Sequence, residues 1–104
     1  MSIQNETFER FTVLLKAVAD PTRRGIVFLL RHGGEKTVND ISKEMQLAQP
    51  AASQQLRILK DAGALTARKD GQYVYYAVAS RRVCDALTAF LVIYQKELKN
   101  KEIR

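Results

Sequence analysis

The stretch Ala48–Gly63, AQPAASQQLRILKDAG, decides the fold. Placed on a helix at 100° per residue, it separates into two faces. Ala52, Leu56, Ile58, Leu59 and Ala62 share one half-turn, and Gln49, Ser53, Gln54, Arg57, Lys60 and Asp61 share the other. Gly63 follows, where a helix end wants a residue that accepts left-handed backbone. The polar half is unusual for a surface helix. Its first part carries amides and a hydroxyl rather than carboxylates, and its second part carries Arg57 and Lys60. Gln and Ser can read base edges, whereas Arg and Lys reach bases or phosphates. An ordinary amphipathic helix would show the same apolar half, so the neighbouring segments must decide.

Immediately upstream, Leu47 through Gln49 reads as a tight turn. Before it, Thr37-Val38-Asn39-Asp40 opens a short helix with a capping-box-like pattern that buries Ile41 and Met45. Two short helices joined by about three residues, the second with an information-bearing polar face, form a helix-turn-helix. Immediately downstream lies LTARKDGQYVYYAV (Leu65–Val78), in which Asp70-Gly71 predicts a hairpin with a type I′ turn. Folding about that dipeptide pairs Arg68 with Tyr73 and Thr66 with Tyr75 on one face. Ala67 then meets Val74, and Leu65 meets Tyr76, on the apolar face. The tip displays Arg68, Lys69 and Gln72, as a wing set against phosphates or the minor groove would. Tyr73, Tyr75 and Tyr76 read as strand packing.

Farther out, residues 4–19 carry an apolar stripe of Phe8, Phe11, Leu15 and Val18. Asp20-Pro21 stops that helix and starts the next, because Asp can cap and Pro suits the first helical position. The second helix carries Ile26, Val27, Leu29 and Leu30 and ends near His32-Gly33-Gly34, with His32 placed to complement the helix dipole. Residues 80–98 form a last helix, capped by Ser80, with Val83, Leu87, Phe90, Leu91, Tyr94 and Leu98 in a near-heptad stripe. The two terminal helices offer more apolar surface than a monomer of this size needs. They are therefore expected to pair in a homodimer through Phe8, Phe11, Leu15, Leu87, Phe90, Leu91 and Tyr94. Lys99 to Arg104 reads as a frayed, solvated end.

The totals bound the function. A chain of 104 residues makes one domain, 1–104, with a single core. No apolar run approaches the ~18 residues of a membrane span, and MSIQNETFERF, with Glu6 and Glu9, does not read as a secretory leader. A single cysteine excludes an internal disulfide and suits a reducing cytoplasm. Seventeen Lys and Arg against eleven Asp and Glu give a net charge of +6, which favours a polyanionic partner such as double-stranded DNA. One His, one Cys and no Gly-rich phosphate loop do not assemble an enzyme's base, nucleophile and partner, and no cofactor is called for. The competing class is a winged helix used for protein–protein contact without an operator, against which the amide-rich face argues.

The order helix, helix, helix-turn-helix, wing, helix resembles the ArsR/SmtB family of winged-helix repressors. The residues that carry the resemblance are VADPTRRGIVFLL (Val18–Leu30), LAQPAASQQLRILKDAGAL (Leu47–Leu65) and RKDGQYVYYAV (Arg68–Val78). Together they cover roughly residues 8–95. The resemblance implies a mainly α (α+β) winged helix-turn-helix with about five helices and a two-stranded wing. It also implies a bacterial cytoplasmic homodimer that binds an inverted-repeat operator and represses transcription. On that reading Gln49, Ser53 and Gln54 contact bases, Arg57 is shared between base and phosphate, and Lys60, Arg68, Lys69 and Gln72 hold the backbone.

Departures from the family pattern bear on the effector, which is expected to be something other than a metal at the usual sites. Where metal-sensing members carry a Cys-x-Cys type motif, this chain has Thr37-Val38-Asn39-Asp40-Ile41. Its last helix has Asp85 and Glu97 but no His. A tetrahedral metal site wants about four N, S or O ligands, and one Cys and one His do not supply them. The thiol pair of other members is missing too, because the second helix has no Cys. Cys84 has two readings, a small hydrophobe at the edge of the last helix's stripe or a redox-responsive residue. At the start of the recognition helix Ala48 replaces a capping Ser. Gln55 replaces a His and falls on the inward half of the wheel, which makes it structural rather than base-reading.

Overall fold

Asp20 and Pro21 divide the first thirty residues of the computed structural model, which describes residues 5–101, into two helices. Helix α1 spans Asn5–Ala19 and α2 spans Pro21–Gly33. Asp20 is extended, and its carboxylate accepts the Arg23 N–H at 3.0 Å, while Pro21 fills a first-turn position where no N–H is missed. Thr37 then serves two elements. It ends a short strand β1 (Lys36–Thr37), and its hydroxyl accepts the Asp40 N–H at 3.2 Å to cap α3 (Val38–Met45).

The turn out of α3 is held by two backbone bonds, from the Gln46 N–H to Lys43 at 3.2 Å and from the Leu47 N–H to Ser42 at 2.9 Å. This is a Schellman motif with Gln46, at φ 56° and ψ 46°, in the left-handed position usually given to Gly. The recognition helix α4 follows at Gln49–Asp61. It ends in a second Schellman motif, in which Gly63 at φ +85° lets the Ala64 N–H reach Leu59 at 2.9 Å and its own N–H reach Lys60 at 3.0 Å. Strands β2 (Leu65–Asp70) and β3 (Tyr73–Val78) form the wing, and α5 runs from Arg81 to Lys101, with Ser80 accepting the Val83 N–H at 3.1 Å.

The sheet corrects the sequence reading twice. It has three antiparallel strands in the order β1-β3-β2, because Lys36 and Thr37 pair with Tyr76 and Tyr75. Two residues are too short to leave a period-2 pattern. The hairpin register also differs. Asp70 pairs with Tyr73, Arg68 with Tyr75, Ala67 with Tyr76 and Leu65 with Val78, so the loop is Gly71-Gln72 rather than Asp70-Gly71. Gly71 has φ +64° and Gln72 does not share the positive sign, which is the signature of a type II′ turn and not of type I′. A shift of two residues preserves which side chains share a face. Leu65, Ala67, Tyr76 and Val78 therefore still lie on the apolar side.

The core gathers Ile26, Val27 and Leu30 of α2, Ile41 of α3, Leu56 and Leu59 of α4, Leu65 of β2 and Cys84 of α5. Each fully buried Leu or Ile contributes roughly 1.5–3 kcal/mol relative to exposure. The terminal helices take little part. Ala17 alone is buried on α1 and Cys84 alone on α5. Phe8, Phe11, Leu15, Leu91 and Tyr94 are exposed, and Phe90 is 69% exposed; Leu87 is half-buried. Helix α5 is tied to α2 by a bidentate ion pair, with Arg31 Nε and Nη2 at 2.8 and 3.1 Å from the Asp85 carboxylate. Lys99–Lys101, expected to fray, complete α5. The rest of that tail, Glu102–Arg104, and the first residues of the expected N-terminal features, Met1–Gln4, lie outside the described residues. Among the described residues no helix is long and apolar enough to cross a membrane.

Candidate nucleic-acid interface

Burial along α4 follows the two-faced wheel. Ala52, Leu56 and Leu59 are buried, whereas Gln49, Ser53, Gln54, Arg57 and Lys60 are exposed on one side. The apolar half fixes the helix against α2 and α3, and the polar half is left to water. Ala48 is extended and gives no side-chain cap, so the first-turn N–H groups of Gln49 and Ala51 have no side-chain acceptor. Gln55 is half-buried and accepts a hydrogen bond from Arg23 Nη1 at 3.1 Å, in keeping with its inward place on the wheel.

The structure brings the start of α4 and the tip of the wing to one cleft of about 480 Å³, lined by Thr37, Val38, Asn39, Gln49, Gln72, Tyr73 and Val74. Gln49 and Gln72, expected to touch DNA, therefore face a common space although they lie on separate elements. Asn39 and Tyr73 line the same cleft and were not singled out as contacts from the sequence. In the sequence Asn39 falls inside the helix-start pattern, which hides it. Tyr73 departs from the strand-packing expectation: it is 53% exposed at the start of β3, beside the loop. Tyr75 is half-buried, and Tyr76 packs against the core.

Lys69 and Gln72 project from the wing as expected. Arg68 does not. It points back across the sheet, with Nε 2.9 Å from Glu35 Oε2 and Nη2 bonded to Glu35 Oε1, and its guanidinium lies 4.7 Å from the centre of the Tyr75 ring. Asp70 is a more distant partner at 3.7 Å. The hydrogen bond from Arg68 holds the Glu35 carboxyl below the usual carboxylate range, and the same bond raises the Arg68 guanidinium. A pair 33 residues apart in sequence leaves no local pattern to read.

Cys84 is 3% exposed at the base of α5. Burial raises its thiol above the ordinary value, with Asp85 adding to the effect and Arg31 opposing it. The reactive thiolate is thus disfavoured, and the geometry supports the small-hydrophobe reading over the redox one. Asp85 is occupied by Arg31, and among the described residues no three His, Cys, Asp or Glu side chains gather as a metal site would require.

Comparison with known proteins places this arrangement. Residues 20–66 match the family model described as bacterial regulatory protein, arsR family. The chain is 35% identical over 83 residues to the transcriptional repressor SdpR of Bacillus subtilis, covering 80% of this chain and 91% of that protein. It is 40% identical over 78 residues to an uncharacterized HTH-type transcriptional regulator of Methanocaldococcus jannaschii, covering 75% and 88%. Among solved structures, a homodimeric winged helix-turn-helix DNA-binding domain from Mycobacterium bovis superposes with a TM-score of 0.81 at 27% identity, over 96% of this chain and 95% of that one. HlyU of Vibrio cholerae gives 0.73 at 31% identity, over 88% and 98%. The family match runs from α2 to the start of β2, the similarity to the repressor and the structural superpositions extend over most of the chain, and the chain belongs to the ArsR family of bacterial regulatory proteins.

Proposed function

We propose that two copies of this chain bind an inverted-repeat operator in double-stranded DNA and repress transcription from it. The observation that carries the reading is the shared cleft, where the amide-bearing start of α4 and the tip of the wing open toward one partner. Gln49, Ser53 and Gln54 contact base edges, and Arg57 divides between base and phosphate. Lys60, Lys69 and Gln72 hold the backbone. The uncapped N–H groups at the start of α4 add a place for a phosphate oxygen. The M. bovis domain is homodimeric, and the exposed apolar faces of α1 and α5 suit the same assembly here, with the chain acting as one domain. Phe8, Phe11, Leu15, Leu87, Phe90, Leu91 and Tyr94 form the contact.

Fluorescence anisotropy tests the reading, with DNA from upstream of the chain's own gene set against a scrambled duplex of equal length. The measurement belongs near physiological salt, because low salt lets any basic protein bind. Two chains per site with clear preference for the upstream duplex is the expected result. Equal, salt-sensitive binding to both would remove sequence-specific recognition of this DNA. Gln54→Ala should cost about 1–3 kcal/mol and relax discrimination, whereas Lys60→Ala should weaken both duplexes alike and lower the salt slope by about one.

A further inference from the structure

We propose that Glu35 and Arg68 form a strap that sets the angle of the wing against the helix-turn-helix, so that Arg68 is a positioning residue rather than a phosphate contact. The proposal rests on the DNA-binding reading and changes the role of one wing residue within it. Arg68 lies on β2, the strand farthest from β1, and Glu35 is the residue just before β1. Their bond therefore spans the full width of the sheet, passing over Tyr75 on the central strand β3. Glu35 also sits between the end of α2 and the start of β1, and β1 leads directly into α3. One end of the strap is anchored where the chain enters the helix-turn-helix. The other is anchored on β2, three residues before the loop begins at Gly71.

The geometry also gives Arg68 a partner of its own within the sheet. Both carboxylate oxygens of Glu35 engage its guanidinium, Asp70 stands at 3.7 Å, and the flat of the guanidinium faces the Tyr75 ring. Glu35 takes two of the five guanidinium N–H donors and answers the Arg68 charge, so a DNA phosphate would meet an arginine already neutralised and turned toward Glu35. Lys69 and Gln72, beyond the strap, remain exposed toward solvent. Beyond the β1 pairing at Tyr75 the wing is only a two-stranded ribbon, which is marginally stable by itself, so a tie at Arg68 has something to restrain.

The test uses Glu35→Gln, Arg68→Gln and the exchanged double variant Glu35→Arg with Arg68→Glu. Each is titrated on the upstream duplex over a salt series. Amide hydrogen exchange of the wing is followed in the free protein. The expected result is a two- to five-fold loss of affinity in each single variant, roughly the range of an exposed ion pair. The salt slope should stay unchanged, wing amides should exchange faster, and the exchanged pair should recover both. If Arg68→Gln lowers the salt slope by about 0.9, one phosphate's worth, while Glu35→Gln tightens binding, Arg68 is a phosphate ligand and the strap is wrong. Unaltered wing exchange in both single variants also overturns it. A parent protein that binds neither duplex defeats the DNA reading instead, and the exchange measurement still decides the strap.

Discussion

Arg23 joins the end of α1 to the middle of α4. Its Nε donates to the Ala17 carbonyl at 2.7 Å while its Nη1 donates to Gln55 Oε1 at 3.1 Å. One side chain thus answers an open carbonyl at a helix C-terminus and fixes the orientation of the helix that carries the proposed base-reading face. Bonds from a charged donor contribute more than neutral ones, about 1.5–3 kcal/mol each. Arg23→Met should lower stability by at least about 1.5 kcal/mol, read as a shift of the urea midpoint at constant slope. Gln55→Ala, which leaves the Ala17 bond in place, should cost less. Equal losses would mean that the α1 carbonyl contributes nothing.

Two helix ends use the same motif with different residues. Gly63 occupies the left-handed position after α4, and a Cβ built there meets nothing within 4 Å. The cost of Gly63→Ala is therefore backbone alone, about 1 kcal/mol. Gln46 holds the equivalent position after α3, so Gln46→Gly should be neutral or stabilising by up to about 1 kcal/mol. Thermal unfolding of the two variants should move in opposite directions, or the second should not move at all.

Phe90 is more than two-thirds exposed on α5, amid Leu91, Ile93 and Tyr94. A dimer would cover that face. Phe90→Asp should shift sedimentation from dimer to monomer while leaving helical circular dichroism unchanged. On the proposed function, operator binding should fall by far more than the loss of one contact, because a lone chain would engage only one half-site. Sedimentation as a dimer in the variant would move the interface elsewhere.

Stability should fall in acid through two ion pairs. The hydrogen bond from Arg31 lowers the Asp85 carboxyl below its ordinary value, and that from Arg68 does the same for Glu35. The folded state thus prefers the ionised forms, and the unfolded chain takes up protons first as the pH drops. The contribution is present above the ordinary carboxylate values of about 4 and is lost below them. Both pairs are exposed, so the effect is modest and weakens with salt. Denaturant midpoints between pH 3 and 7 should show a shallower acid limb in Asp85→Asn than in the parent; an identical limb would remove Asp85 as a contributor.

Much of the fold was legible because the deciding interactions are local. The caps at Asp20, Thr37 and Ser80 each accept an N–H three residues on, and the faces of α4 follow from helical periodicity. The exposed stripes of α1 and α5 could be read in the same way. Within the candidate site, Gln49, Ser53, Gln54, Arg57 and Lys60 share one exposed face because all lie on a single helix.

Other features required distant parts of the chain to meet. The Asp-Gly dipeptide announced a hairpin, but pairing along β3 and with β1 placed the loop at Gly71-Gln72. Gln46 takes left-handed backbone without the Gly that would have advertised it, because two bonds to α3 hold it there. Local sequence therefore determined where helices begin, which faces are polar and that a wing exists, since these depend on residues within a turn or two of each other. Only the tertiary structure decided that Arg68 answers Glu35, that Arg23 answers Gln55 and that Gln49, Gln72, Asn39 and Tyr73 open on one cleft. Those pairings join elements that approach only when the apolar faces close on the common core, and no spacing along the chain encodes which charge will then stand opposite which.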